Sequence, residues 1–174
     1  MSQTNYRTNH LTNSTIINKA ITYLNQAYQP LLYVGGGVVR SNAFKSLQQV
    51  AKIFQIPLTT TLMGKSSYNE SDHLGLGMLG MHGTAYANFA VSECDLLVAL
   101  GARFDDRVTG KLEEFASEAE VLHIDIDPAE ISKNRCPQLS IVGDVRKTLM
   151  QISNGFQNLH ECFTNITNNA ELRT

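Results

Sequence analysis

Apolar positions along the chain alternate between a helical rhythm and short unbroken runs. Ile16, Ile17, Ala20, Ile21, Leu24 and Ala27 recur at helical spacing behind Ser14, a residue able to cap them, and Pro30 ends the pattern. Leu31 to Val34 is an unbroken apolar run closed by Gly35-Gly36-Gly37, which reads as a strand and a glycine turn. From Ser41 a second helical pattern runs through Phe44, Leu47, Val50, Ala51 and Phe54. Ile56 to Leu62 is rich in β-branched residues and predicts a second strand, with a glycine-rich loop from Gly64 to Gly83. Thr84 to Cys94 is helical, and Asp95 to Gly101 is a third strand of the fully buried kind. Phe104 to Gly110 reads as polar loop and Lys111 to Ala119 as a short helix. Val121 to Asp127 and Leu139 to Asp144 predict two further strands, and Val145 to Ile152 begins a last helix. Beyond Asn154 the chain turns polar and rich in asparagine, and fraying is expected there despite a weak helical remnant at Phe156, Leu159 and Phe163.

Strands alternating with helices in this way predict an α/β fold, a three-layer α/β/α Rossmann-like domain around a parallel sheet of about five to six strands. Residues 1–13 are expected to be linker or disordered, 14–152 the domain and 153–174 a polar tail. Ligands of such sheets sit beyond the carboxyl ends of the strands, where the strand order reverses. Gly35 to Gly37, Thr61-Leu62, Gly101 to Arg107, Asp125 to Asp127 and Gly143-Asp144 all follow strand ends, so these five segments should converge on one crevice.

The 174 residues and 43% hydrophobic content suit one domain with a real core. A net charge of −2 gives no field for nucleic acid or an anionic membrane. Of 14 Lys/Arg, six lie in residues 1–69, which hold no acid; the other eight share residues 70–174 with all 16 acids. That split either marks a region able to receive phosphates or balances between two faces of one domain, the simpler reading. Cys94, Cys136 and Cys162 are too few and too widely spaced for a disulfide framework or a zinc site, and no metal site is expected. No apolar run is long enough to cross a bilayer, and the acid-free start is a weak match to a transit segment. A reducing compartment is expected, cytoplasmic or, if organellar, the plastid stroma.

Three glycines after a strand allow close backbone approach to a diphosphate. The full GxGxxG pattern fails, because Arg40 stands at the third glycine and no acid follows at the required distance, which disfavours a simple nicotinamide enzyme. Gly64-Lys65-Ser66 resembles the end of a P-loop, but Thr59 occupies its first glycine, so a turn is expected. Asp125 can accept hydrogen bonds from ribose hydroxyls, with Asp127-Pro128 capping a following helix. Arg103 and Asp105-Asp106-Arg107 could direct guanidinium groups at a phosphate or flavin. His82 lacks an evident nucleophile or orienting acid nearby, and His123 on a buried strand reads as a core histidine.

Four strings together, 31–37, Thr59 to Gly64, Gly77 to Ala85 and Gly101 to Gly110, closely resemble the central domain of the acetohydroxyacid synthase (acetolactate synthase) large subunit family, over roughly Ser14 to Leu149. The resemblance implies an enzyme that condenses two 2-keto acids in branched-chain amino-acid synthesis with thiamine diphosphate and magnesium, and a central domain that binds FAD. It implies that Gly35, Gly36, Gly37, Gly101, Ala102 and Arg103 lie along the dinucleotide. Thr61, Leu62, Leu79, Gly80, Met81 and His82 would border the flavin, with Asp105 and Val108 also at the cofactor. Asp125, Ile126, Gly143, Asp144 and Val145 would surround the adenosine half, and Arg107 would stand near the substrate channel. Thiamine-binding domains on either side are not part of these residues, so the chain alone is expected not to catalyse the reaction. It would be a fragment or one part of a split enzyme, with the missing domains, a regulatory small subunit and further copies as partners. Ser66-Ser67 departs from the glycine usual after Gly64-Lys65. Other thiamine enzymes place ADP or coenzyme A in this domain, and a non-enzymatic interaction module is the remaining alternative.

Overall fold

The structure, a computed structural model, describes residues 12–104 and 115–171, without the side chains of 162–171. The first helix, α1 (Ser14–Gln26), is capped by Asn13, whose side chain accepts from the Thr15 amide at 2.9 Å, one residue ahead of the expected Ser14. It is followed by β1 (Pro30–Val34), the short α2 (Gly36–Arg40) and α3 (Phe44–Phe54). Next come β2 (Leu58–Thr60), a 3₁₀ turn at Leu62–Ser67, β3 (Gly75–Met78) and α4 (Ala85–Glu93), which is capped by Thr84. The chain closes with β4 (Leu96–Leu100), β5 (Glu120–Asp125), β6 (Leu139–Val142) and α5 (Val145–Glu171).

The strands form one six-stranded sheet in the order β3-β2-β1-β4-β5-β6, with every neighbouring pair parallel. Successive strands step outward on one side from β1 to β3, then restart beside β1 at β4 and step outward on the other. Helices cover both faces, as the three-layer expectation requires. On one face Leu32, Val34, Val98 and Leu122 pack under the apolar stripes of α1, α3 and α5. On the other, Leu31, Tyr33, Leu97 and Val121 pack under α4 and the aromatic rings of Phe104 and Phe115. Each fully buried Leu, Ile or Val contributes roughly 1.5–3 kcal/mol of apolar transfer, so alternate residues of β1 stabilise both layers at once.

Four differences from the sequence expectation have physical reasons. The strand Gly75–Met78 forms inside the expected loop; it sits at the sheet edge, half-buried, and needs little side-chain packing. The last helix continues to Glu171 where fraying was expected beyond Asn154. Phe156 packs against Phe54 with ring centroids 4.7 Å apart and planes tilted by 57°, and Ile152 is buried in the core shared with α1 and α3, so apolar spacing holds the helix past the polar turn in composition. No helix starts at Asp127-Pro128: Asp127 caps a turn, accepting from Ala129 N at 2.9 Å. Of the expected helix at Lys111–Ala119 only 115–119 are described, and they form a turn with Ala116 at φ 48°. The guanidinium of Arg135 donates to the carbonyls of Phe115, Ala116 and Ala119 and holds that turn.

The two glycine turns meet between β1 and β4, where the strand order reverses. Gly35 N donates to Leu100 O and Gly37 N to Gly101 O, both at 3.0 Å. A Cβ on Gly35 would lie 2.3 Å from Gly101 O, one on Gly37 2.6 Å from Gly101 Cα, and one on Gly101, itself at φ 54°, 2.5 Å from Gly37 Cα. All three clashes are with backbone. Gly35→Ala is therefore expected to destabilise the fold by about 3 kcal/mol or more in urea unfolding. Gly143→Ala, whose new Cβ would meet only Thr148 and Thr12 hydroxyls at 3.6 and 3.7 Å, should change stability by less than about 1 kcal/mol.

Candidate functional site

The carboxyl ends of the strands bring the expected segments to one edge of the sheet. Gly35 to Gly37 and Gly101 to Arg103 stand at its centre. Thr61-Leu62 and Leu79 to His82 lie on the β2–β3 side, and Asp125-Ile126 and Gly143 to Val145 on the β5–β6 side. Asp105, Arg107 and Val108, with their neighbour Asp106, lie outside the described residues.

Individual side chains divide into those a ligand could touch and those turned inward. Leu79, Ala102 and Val145 are buried in the two cores, so they offer a ligand backbone only. Leu62, Met81 and Ile126 are bare, Met81 at 90% exposure, and His82 and Arg103 are exposed too. Met63 and Val142, which the sequence did not single out, are exposed beside them. Bare apolar side chains thus follow β2, β3 and β5 and end β6, a rim of the kind that a ligand or a partner surface removes from water.

The polar groups are held by local bonds. Thr61 accepts from Gly64 N at 3.1 Å, and the buried Ser67 hydroxyl donates to Gly64 O at 2.6 Å. Gly64-Lys65-Ser66 is therefore a closed 3₁₀ turn and not a phosphate loop; a Cβ on Gly64 would lie 2.3 Å from Val34 O. The serines departing from the family pattern serve this turn through Ser67. Asp125, nearly buried, accepts from Asp127 N through Oδ1 at 2.9 Å. Asp144 caps α5, accepting from Lys147 N at 3.0 Å. Sequence reasoning also passed over Thr60, at the carboxyl end of β2, whose buried hydroxyl has no hydrogen-bond partner among the described residues.

His123 lies under the centre of the site. Its Nε2 donates to Ala102 O at 3.1 Å, its ring meets Phe104 edge-on at 5.4 Å, and its Nδ1 has no hydrogen bond among the described residues. Burial pulls its pKa below the ordinary 6.5, against the opposing pull of Asp125 and the Ala102 carbonyl. It is a neutral core histidine that supports the β4 turn. Burial likewise pushes the Cys94 thiol up to about 11, so it is not a nucleophile. Among the described residues no group of three or more His, Cys, Asp or Glu could hold a metal ion, and no helix is long and apolar enough to cross a membrane.

Residues 17–152 match the family described as "Thiamine pyrophosphate enzyme, central domain". The chain is 63% identical to the acetolactate synthase large subunit of Cyanidium caldarium over 136 residues, covering 78% of this chain and 23% of that protein. It is 60% identical to the large subunit of Porphyra purpurea over 139 residues, covering 80% and 24%. To an acetolactate synthase of Arthrospira platensis it is 52% identical over 147 residues, covering 83% and 25%. The chain thus spans about a quarter of the length of the curated relatives it matches.

The state of His123 gives a pH dependence. Unfolded, the imidazole takes up a proton as the pH falls through 6.5; folded, it resists, so acidification favours unfolding. The thermal midpoint should fall between about pH 7.5 and about pH 5, and His123→Gln should flatten that slope. An unchanged slope in the variant would assign the acid sensitivity elsewhere.

Proposed function

The chain belongs to the thiamine pyrophosphate enzyme family, as the central domain of acetolactate synthase large subunits, and from that premise we propose that it binds FAD across the crevice at the β1/β4 reversal. One observation carries the reading: two interlocked glycine turns lie at the reversal point, flanked by bare apolar side chains at the carboxyl ends of β2, β3 and β5. The turns at Gly35 to Gly37 and Gly101 present backbone without side-chain bulk, which suits a diphosphate. Arg103 supplies an exposed cation beside them. Leu62, Met81 and Ile126 suit the flat rings, and the second oxygen of Asp125 suits a ribose hydroxyl. Leu79, Ala102 and Val145 would contribute backbone, Gly143 close approach, and Asp144 the fixed start of α5. Asp105, Arg107 and Val108 would complete the cofactor and substrate side.

The whole enzyme would join pyruvate to pyruvate or 2-ketobutyrate, with thiamine diphosphate and magnesium on domains other than the one described. FAD supplies a planar scaffold there and no redox step, since the condensation involves no net oxidation or reduction. This chain's own part is to bind and orient: the glycine turns seat the diphosphate, and the apolar rim excludes water from the ring. Residues 14–152 would form the domain, working with the thiamine-binding domains, further copies and a regulatory small subunit, in the cytoplasm or the plastid stroma.

Titration of the purified chain with FAD, followed by flavin fluorescence and thermal midpoint, tests the reading, with ADP, NAD and coenzyme A alongside. Saturable binding of FAD that raises the midpoint is expected. Arg103→Ala should weaken it by about 1–3 kcal/mol through loss of a charge-assisted hydrogen bond. A folded chain that ignores FAD and takes ADP or coenzyme A instead would overturn it.

A further inference from the structure

The turn between β3 and α4 displays Met81 and His82 at the carboxyl end of β3, and the side chain that shapes it comes from α4. Asn88 Oδ1 accepts from Gly80 N at 3.0 Å, and Asn88 Nδ2 donates to Gly80 O at 3.2 Å. One side-chain amide therefore closes on both polar groups of one residue, which needs a donor and an acceptor on the same short side chain. Gly80 holds φ 100°, a conformation that disfavours any Cβ, and its carbonyl also accepts from Gly83 N at 2.9 Å. Below the turn, Leu79 is buried and its amide meets Thr60 O at 3.3 Å; above it, Met81 stands 90% exposed. With so little side-chain packing on Met81, the backbone of the turn sets its place. Asn88 itself is exposed, and the buried residues of α4 are Ala87 and Val91. An exposed asparagine is also a weaker helix former than alanine, so the helix gains nothing from it.

We propose that Asn88 is a positioning residue, which fixes the Gly80–Gly83 turn and so places Met81 and His82 against the flavin; the second half rests on the FAD reading above. The turn half stands on geometry alone. Asn88→Ala removes both bonds and favours the helix. Asn88→Asp keeps the acceptor for Gly80 N and loses the donor to Gly80 O.

The test is amide hydrogen exchange of the full chain by mass spectrometry, with FAD affinity measured on the same samples. In Asn88→Ala, exchange across Gly80–Gly83 should rise on the order of tenfold while α4 and the sheet stay unchanged, as two neutral hydrogen bonds imply. FAD affinity should fall roughly five- to tenfold, and Asn88→Asp should lie between alanine and wild type in both readouts. Unchanged exchange at the turn, or an equal rise throughout the molecule, would overturn the proposal. So would a faster-exchanging turn with wild-type FAD affinity. A wild-type chain that binds no FAD contradicts the cofactor reading instead, and the exchange result then decides whether Asn88 sets the turn.

Discussion

The close backbone approach of Gly35 and Gly37 to Gly101 is the constraint on which the rest of the molecule depends. It lies where the strand order reverses, so it joins the first half of the sheet to the second between two strands that are neighbours in space but not consecutive in sequence. Two amide–carbonyl bonds join the turns, and no Cβ fits at any of the three positions. The glycines that follow β1 therefore act first as a joint between two strands. Their smoothness toward a ligand is a consequence of the same geometry. Two of the triplet's amides are already engaged with the β4 side, so under the proposed FAD reading the flanking segments have to supply affinity as well.

Those segments are supported unequally by the two layers. The α1, α3 and α5 face is a continuous aliphatic core, extended by the Phe54–Phe156 pair. The opposite face relies on α4, on Tyr33, Phe104, Phe115 and His123, and on polar clamps. Asn134 donates to Phe104 O, Arg135 holds the turn at 115–119, and Asn88 holds Gly80. An aliphatic core tolerates small shifts at little loss, whereas a hydrogen-bonded clamp holds its carbonyl in one place. Of these clamps, those on Gly80 and Phe104 hold backbone that follows β3 and β4, whereas Arg135 holds the turn that leads into β5.

The sheet was legible from the sequence wherever apolar residues ran without interruption, as in β1, β4 and β5, and so was the convergence of the segments that follow them. Glycine-rich β3 was not, because an edge strand of Gly75, Leu76, Gly77 and Met78 lacks the β-branched signal of a packed one. The length of α5 was hidden by polar composition, although Leu149, Ile152 and Phe156 keep helical spacing. Position in sequence identified which residues stand at a strand's end but not which way they face. Leu79, Ala102 and Val145 turn into the cores, while Met63 and Val142 turn out. Asn88 and Arg135 left no trace, since a polar residue that binds a distant carbonyl belongs to no periodic pattern. Family resemblance proposed which segments form the site; the structure gives each described side chain in them a direction.

The most direct test of the account is where FAD touches the chain. Amide exchange of the wild-type chain with and without saturating FAD should show protection at Gly35–Gly37, Gly101–Arg103, Leu79–Gly83 and Asp125–Ile126, with the α1, α3 and α5 face unaltered. Protection confined to that helical face, or absent from both glycine turns, would contradict a cofactor site built on the β1/β4 reversal.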